Sequence, residues 1–334
     1  MKYCRMGQTG LYVSKICLGT ANFGSGKSSG VGDWGVVDEK GAFRIMDYAL
    51  DCGINFFDTA NVYGGKESRG LTETIIGKWF KQGGNRREKV VLGSKVGRIF
   101  EMSDLDGPNN VEGLSIYKIR RHVEASLKRL QTDHLELIQM HKHDPVTSWD
   151  EIWEAFEGFV KSGKVDYVGS SNHDAWQIMK AQEVARRRNY MGLANEQHLY
   201  TPLSRGAEQE LLPMVKDQGI GVTLFSPLFR GFFGIDAFHP EKREMNAESR
   251  RLFERYRPQA EAFSALCREI GESEANVTLA WELSHPEITS VIVAPTCIED
   301  LEELLHSVDI VLEQSVFDKI DEIFPPAVDA NPYI

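Results

Sequence analysis

The chain has 334 residues, 42% of them hydrophobic and 26% charged, the balance of an ordinary soluble globular protein. That length accommodates two domains or one large α/β barrel. A formal net charge of -11 argues against a nucleic-acid groove or an anionic membrane surface as partner. No stretch approaches the roughly 18 apolar residues of a spanning helix, and the opening MKYCRMGQTG lacks the apolar core of a signal peptide. Cys4, Cys17, Cys52, Cys267 and Cys297 are scattered, odd in number and free of any CxxC. They read as reduced thiols, so a cytoplasmic protein is expected rather than a disulfide framework or a zinc site.

In chain order, YCRMGQTGLYVSK reads as a small hairpin with Gly7 and Gly10 bounding its turn. Eight short apolar runs follow: KICLGT, INFFD, VVLGSK, LELIQM, VDYVGS, GLANEQ, IGVTLF and TSVIVA. Each is apolar on both faces or nearly so, as a parallel strand covered by helices must be. Helical patterns lie between them. DEKGAFRIMDYALDCG carries apolar residues at helical spacing and stops at Cys52 and Gly53, where the glycine suits a C-terminal cap. YKIRRHVEASLKRLQ is a second such run. Eight strands with intervening helices predict a closed (β/α)8 TIM barrel, and no break in composition divides residues 1–334 into more than one domain. A doubly wound sheet would need GxGxxG after the first strand, and none is there. ANFGSGKSSG holds Gly26-Lys27-Ser28 but has Ala21 where a phosphate loop needs its first glycine, so a surface loop is expected.

In a parallel barrel the chemistry belongs at the carboxyl ends of the strands. FFDTANVYGG places Asp58 and Tyr63 after the second barrel strand, Lys95 ends the third, and His141 ends the fourth. Each alone has a plain reading, since a single histidine at a strand end is usually a satisfied polar residue and a lone lysine is usually solvated. His141 and His143 gain no further ligands that would make a metal site. Four ionisable residues at successive strand ends make sense together. Lys95 held as an ammonium should lower the pKa of Tyr63 from about 10. Asp58 would keep Lys95 charged and in place, and His141 could hydrogen-bond a carbonyl oxygen. Such a phenol is a general acid for a carbonyl receiving hydride.

GINFFDTANVYGG, LQTDHLELIQMHKHDP and GKVDYVGSSN resemble the second-, fourth- and fifth-strand blocks of the aldo-keto reductases, and the resemblance runs over nearly the whole chain. It implies a (β/α)8 barrel with the tetrad Asp58, Tyr63, Lys95 and His141, Tyr63 being the proton donor. Ser171, Asn172 and Gln197 correspond to the residues that hold the nicotinamide carboxamide. Phe225 stands where a ring-stacking aromatic, most often tyrosine, is found. Ser226 and Leu228 fall at the pyrophosphate contacts, and Gly19, Thr20 and Arg230 are assigned to the cofactor on the same ground.

The resemblance departs after the eighth strand, in VIVAPTCIEDLEELL. Thr296 stands near the position of the basic residue that grips the 2'-phosphate of NADP, Asp300 replaces a glutamine, and Leu304 replaces an asparagine. From Glu269 to Asp318 there is no Lys or Arg. The family default still implies NADPH, with NADH the competitor. Arg230, Lys242, Arg243, Arg250, Arg251, Arg255 and Arg257 are candidates to cover the phosphate instead.

Long loops at the carboxyl face should shape the substrate pocket. Phe100, Phe229, Phe232 and Phe233 could pack over a bulky ligand or simply seal the loops. The branch resembled includes reductases of sugar nucleotides and natural-product ketones, so the expected substrate is a sizeable oxygenated ketone or aldehyde. The alternatives are reduction of an enoyl or keto group on a nucleotide-linked deoxysugar, and a cofactor-binding regulatory subunit like the potassium-channel β subunits. Nothing in the sequence sets the oligomeric state.

Overall fold

The eight apolar runs form the eight strands of one closed parallel barrel in a computed structural model that describes residues 1–25, 35–64, 68–98, 113–234 and 247–326. Gly26 to Ser28, Phe100, Lys242 and Arg243 lie outside the described residues. The barrel strands are β3 (Ile16–Gly19), β4 (Phe56–Asp58), β5 (Val91–Val96), β6 (Leu135–Met140), β7 (Val165–Ser171), β8 (Leu193–His198), β9 (Gly221–Leu224) and β10 (Ile288–Val293). They pair in chain order, and β10 closes the ring on β3. The expected fold is the observed one.

Helices cover the outside: α1 (Glu39–Asp51), α2 (Leu71–Lys81), α3 (Ile116–Leu130), α4 (Trp149–Lys161), α5 (Ala175–Arg187), α6 (Leu211–Gln218), α7 (Ala247–Arg255), α8 (Arg257–Ile270), α9 (Glu274–Ser284), α10 (Ile298–Leu305) and α11 (Gln314–Ile323). Local chemistry fixes their ends. Asp38 caps α1 by accepting from the Gly41 N–H, and Gly53 follows its last turn with φ 83°. Ser115 caps α3 in the same way through the Lys118 N–H.

Strand alternation divides the apolar residues into two clusters. Phe57, Leu92 and Ile138 face outward and join the helices in the main core. Phe56 and Leu137, one residue earlier on their strands, face inward with Cys17 and Ile292. The N-terminal hairpin, β1 (Tyr3–Arg5) paired antiparallel with β2 (Tyr12–Ser14), supplies Met6 and Val13 to that inner cluster. It thereby closes one end of the barrel. Its turn needs Gly7, whose φ is 55° and whose missing Cβ leaves room for the backbone of Gly219 to Gly221.

Two of the pocket candidates are core residues. Phe232 and Phe233 are wholly buried, and Phe233 packs on Phe263 and Phe324 at 5.3 and 5.6 Å between ring centroids. They seal the segment after β9 onto α8, while Phe229 is half-buried. No helix among the described residues is long and apolar enough to cross a membrane. All five cysteines are free.

One buried group opposes the fold. Glu282 on α9 is fully buried, and neither carboxylate oxygen has a hydrogen-bond partner among the described residues. Burial pushes its carboxyl well above the usual range. Below the unfolded pKa both states hold this proton; above it only the native state does, so stability falls as pH rises toward the native pKa. Replacing Glu282 with leucine should raise stability at pH 7 by about 1–3 kcal/mol. Thermal denaturation from acid to neutral pH should show the difference between Glu282→Leu and the parent widening with pH.

Candidate active site

Asp58 ends β4, and two residues on from Phe56 it keeps the same inward direction above the apolar floor. Lys95 lies on β5, opposite Gln139 of β6. Its ammonium is wholly buried and has three N–H groups to satisfy. They meet Asp58 Oδ1 at 2.5 Å, the Thr59 carbonyl at 3.0 Å and Tyr63 Oη at 3.2 Å. Tyr63 reaches this point because the chain after β4 is tied down at each step. Thr59 donates its N–H to the Gly93 carbonyl, Asn61 to that of Lys95 and Tyr63 to that of Ala60. The Asn61 side chain also meets His122 Nδ1 of α3 at 2.7 Å.

His141 directly follows β6, and its N–H donates to the Val96 carbonyl. The ring stands edge-on to that of Tyr63 at 5.9 Å. Its Nδ1 is buried without a hydrogen-bond partner among the described residues. His143 turns elsewhere and packs against Trp149, His173 and Trp176. The structure therefore brings Asp58, Tyr63, Lys95 and His141 together and leaves His143 out. Among the described residues no group of three or more His, Cys, Asp or Glu is arranged to hold a metal ion.

Burial and neighbours set the charges differently at each group. For Lys95, burial works against the ammonium, but Asp58 and then Tyr63 outweigh it and the pKa is raised. For His141, burial, then Lys95 and Arg98, hold the ring well below its ordinary range, so it is a neutral imidazole. For Tyr63 the expectation of a lowered pKa is corrected. Burial pushes the phenol up, and the opposing pull of the Lys95 ammonium does not cancel it. The phenol therefore keeps its proton at neutral pH. Arg98, beyond the end of β5, was not singled out in the sequence, yet its charge acts on both Tyr63 and His141.

The residues assigned to a dinucleotide lie along the same rim. Asn172 follows β7 with φ 59°, a left-handed conformation asparagine tolerates, and its N–H donates to the Gln197 carbonyl. Its side-chain amide donates to Ser171 Oγ at 2.8 Å and to the His141 carbonyl at 3.3 Å. Gln197 on β8 turns its amide to Asp58 Oδ2 at 2.9 Å, a contact the sequence did not suggest. These bonds leave the Ser171 hydroxyl to donate and the side-chain carbonyls of Asn172 and Gln197 to accept. That donor set suits a carboxamide, with one carbonyl and one NH2.

Elsewhere on the rim, the Thr20 hydroxyl donates to the Asp58 carbonyl at 2.9 Å, so its proton is committed to the scaffold. Gly19 of β3 lies against Ile292 and Ala294, where a Cβ would crowd the former. Phe225 is half-buried at the end of β9. Ser226, Phe229 and Arg230 have φ of 48°, 45° and 57°, three left-handed non-glycine residues around Pro227 and the half-buried Leu228. Such clustering is costly and belongs to segments held for a purpose. After β10, Asp300 accepts from both the N–H and the hydroxyl of Thr296, at 3.0 and 2.7 Å. An acidic side chain is fixed against Thr296 there.

Comparison with known proteins identifies the family. Residues 15–324 match the Aldo/keto reductase family. The chain is 53% identical to an uncharacterized oxidoreductase, YrpG, of Bacillus subtilis over 97% of this chain and 96% of that one. It is 29% identical to norsolorinic acid reductase A of Aspergillus parasiticus, over 95% of this chain and 79% of the other. A probable voltage-gated potassium channel subunit beta of Oryza sativa is 31% identical over 97% and 96%. The chain belongs to the aldo/keto reductase family and is an oxidoreductase.

Proposed function

We propose that the protein is an NAD(P)H-dependent carbonyl reductase in which Tyr63 protonates the carbonyl oxygen. The observation that carries this reading is the Lys95 ammonium, buried and hydrogen-bonded at once to Asp58 Oδ1 and Tyr63 Oη. A bound reduced nicotinamide supplies the hydride. The neutral His141 can donate one ring N–H to the substrate oxygen and hold it beside Tyr63. Tyr63 then gives up its Oη proton as negative charge grows on that oxygen. Lys95, 3.2 Å away, stabilises the phenolate left behind. Ser171, Asn172 and Gln197 would hold the carboxamide, and Phe225 would present its flat face to the ring.

The substrate we infer is a sizeable oxygenated ketone or aldehyde. Norsolorinic acid reductase A supports this by its name. The similarity to a potassium channel subunit keeps a regulatory, cofactor-binding role as the second reading. Turnover of a generic aldehyde separates the two, and the assembled Asp58, Tyr63, Lys95 and His141 favour turnover.

For the donor we propose NADPH, with its 2'-phosphate near Thr296 and its charge met by arginines after β9, such as Arg230 or the α7 residues Arg250 and Arg251. The absence of any Lys or Arg from Glu269 to Asp318 supports a source outside α10.

Tyr63→Phe should lower the single-turnover rate of carbonyl reduction by about 10²–10⁴-fold while cofactor affinity, read by fluorescence titration, stays near that of the parent. Near-parent reduction would remove Tyr63 from the donor role. His141→Ala should slow turnover markedly, and His143→Ala much less; equal losses would show that the strand end is not oriented as described. A guanidinium at 296 would be captured by Asp300 in the single variant, so the informative one is Thr296→Arg combined with Asp300→Asn. It should strengthen NADPH relative to NADH by about five- to hundredfold at low salt. An unchanged ratio of affinities together with a selective loss of NADPH affinity in Arg230→Ala, Arg250→Ala or Arg251→Ala would mean that those arginines already saturate the phosphate; an unchanged ratio with no such loss would place the 2'-phosphate elsewhere.

A further inference from the structure

We propose that Gln139 is a positioning residue for the reaction, one of a layer of buried amides that fixes Asp58 and, through it, Lys95 and Tyr63. The inference rests on the reading of Tyr63 as proton donor. Asp58 has two oxygens to satisfy below the protein surface. Oδ1 takes Lys95, and Oδ2 accepts from Gln139 Nε2 at 3.2 Å and Gln197 Nε2 at 2.9 Å. Gln197 sits at the cofactor rim. Gln139 is wholly buried one layer deeper, on the inward face of β6 two residues after Leu137 of the apolar floor.

The orientation of Gln139 is set from behind. Its Oε1 accepts from Asn195 Nδ2 of β8 at 3.1 Å, and the same Nδ2 meets Thr223 Oγ1 of β9 at 3.1 Å. A flipped Gln139 would turn an oxygen toward the Asp58 carboxylate and an NH2 toward that of Asn195, two like-against-like contacts. Thr223, Asn195, Gln139 and Asp58 thus form one line across the barrel that ends on the ion pair.

The barrel makes room for this line. Gln139 lies between Lys95 of β5 and Gly169 of β7 in register, and Gly93 stands two residues before Lys95. A Cβ on Gly169 would come within 3.2 Å of Gln139 Cγ and 2.9 Å of the Asn195 carbonyl, whereas one on Gly93 would sit at an ordinary contact distance of 3.7 Å from Gln139 Nε2. Barrel interiors are usually filled by layers of branched apolar side chains. A layer of amides flanked by glycines costs desolvation and packing, and it is kept here where it donates to a buried carboxylate.

The test uses Gln139→Met and Gln139→Glu in the full chain. Gln139→Met keeps the length and removes the donor. Its single-turnover reduction should fall by about ten- to hundredfold, with cofactor affinity and the KM for the carbonyl near those of the parent. In Gln139→Glu a protonated carboxyl donates as the amide does, whereas an ionised one repels Asp58. The rate should therefore fall as pH rises, on a profile the parent lacks. The other ionisable groups in electrostatic reach of Asp58 are Lys95, Tyr63 and Cys17. A crystal structure of Gln139→Met should show the barrel intact, Asp58 turned, and Lys95 drawn away from Tyr63 Oη. Parent-like rates in both variants, an unmoved Asp58, or loss of cofactor binding along with turnover would each overturn the positioning role. Should the parent reduce no carbonyl at all, the Tyr63 reading falls, while the crystal comparison still decides whether Gln139 holds Asp58.

Discussion

The structure depends on an ion pair placed where water cannot reach it. Asp58 and Lys95 are almost wholly inaccessible and lie 2.5 Å apart. Taking two charges out of water costs several kcal/mol per ion, and their attraction offsets this only when every remaining donor and acceptor is also met. The chain meets that condition group by group. Lys95 has three N–H bonds and three acceptors, and Asp58 Oδ2 has two amide donors. The glycine of β7, the amides of β6 and β8 and the tight turn from Thr59 to Tyr63 all surround this one pair. Removing either partner would leave an uncompensated buried charge.

The same burial acts oppositely on three neighbouring groups. It keeps the Tyr63 phenol protonated and the His141 ring neutral, while Asp58 overcomes it to keep Lys95 charged. A protonated phenol, a neutral imidazole and a cation therefore stand side by side near neutral pH. Such a separation by environment is what the proposed acid catalysis on a carbonyl requires. The Gln197 amide adds a link, since its NH2 holds Asp58 while its backbone carbonyl accepts from the Asn172 N–H.

Much of this was legible in the sequence because the signals were local. Short apolar runs marked all eight strands, Cys52 and Gly53 marked the end of α1, and the alternation of Phe56 and Asp58 placed a carboxylate at the barrel mouth. The residues missed were those whose meaning is made by distant strands. Gln139 sits in LELIQM as one polar residue in an apolar run, and nothing local tells that Asp58, 81 residues earlier, needs its amide. The upward direction of the Tyr63 shift is hidden from the sequence for a similar reason. The neighbouring lysine can be read from spacing, but the depth of burial that outweighs it cannot. Phe232 and Phe233 read equally as pocket aromatics or as loop seals, and only their distant partners on α8 and beyond, Phe263 and Phe324, decide for the seal.

The central claim is that hydride arrives at the carbonyl carbon while Tyr63 delivers a proton to its oxygen. Single-turnover reduction measured with ordinary and deuterated nicotinamide, each in H2O and D2O, tests both halves at once. The account predicts a slower step on deuterating the cofactor and a further slowing in D2O that disappears in Tyr63→Phe. A cofactor effect with no solvent effect in the parent, or a solvent effect that survives in Tyr63→Phe, would contradict it.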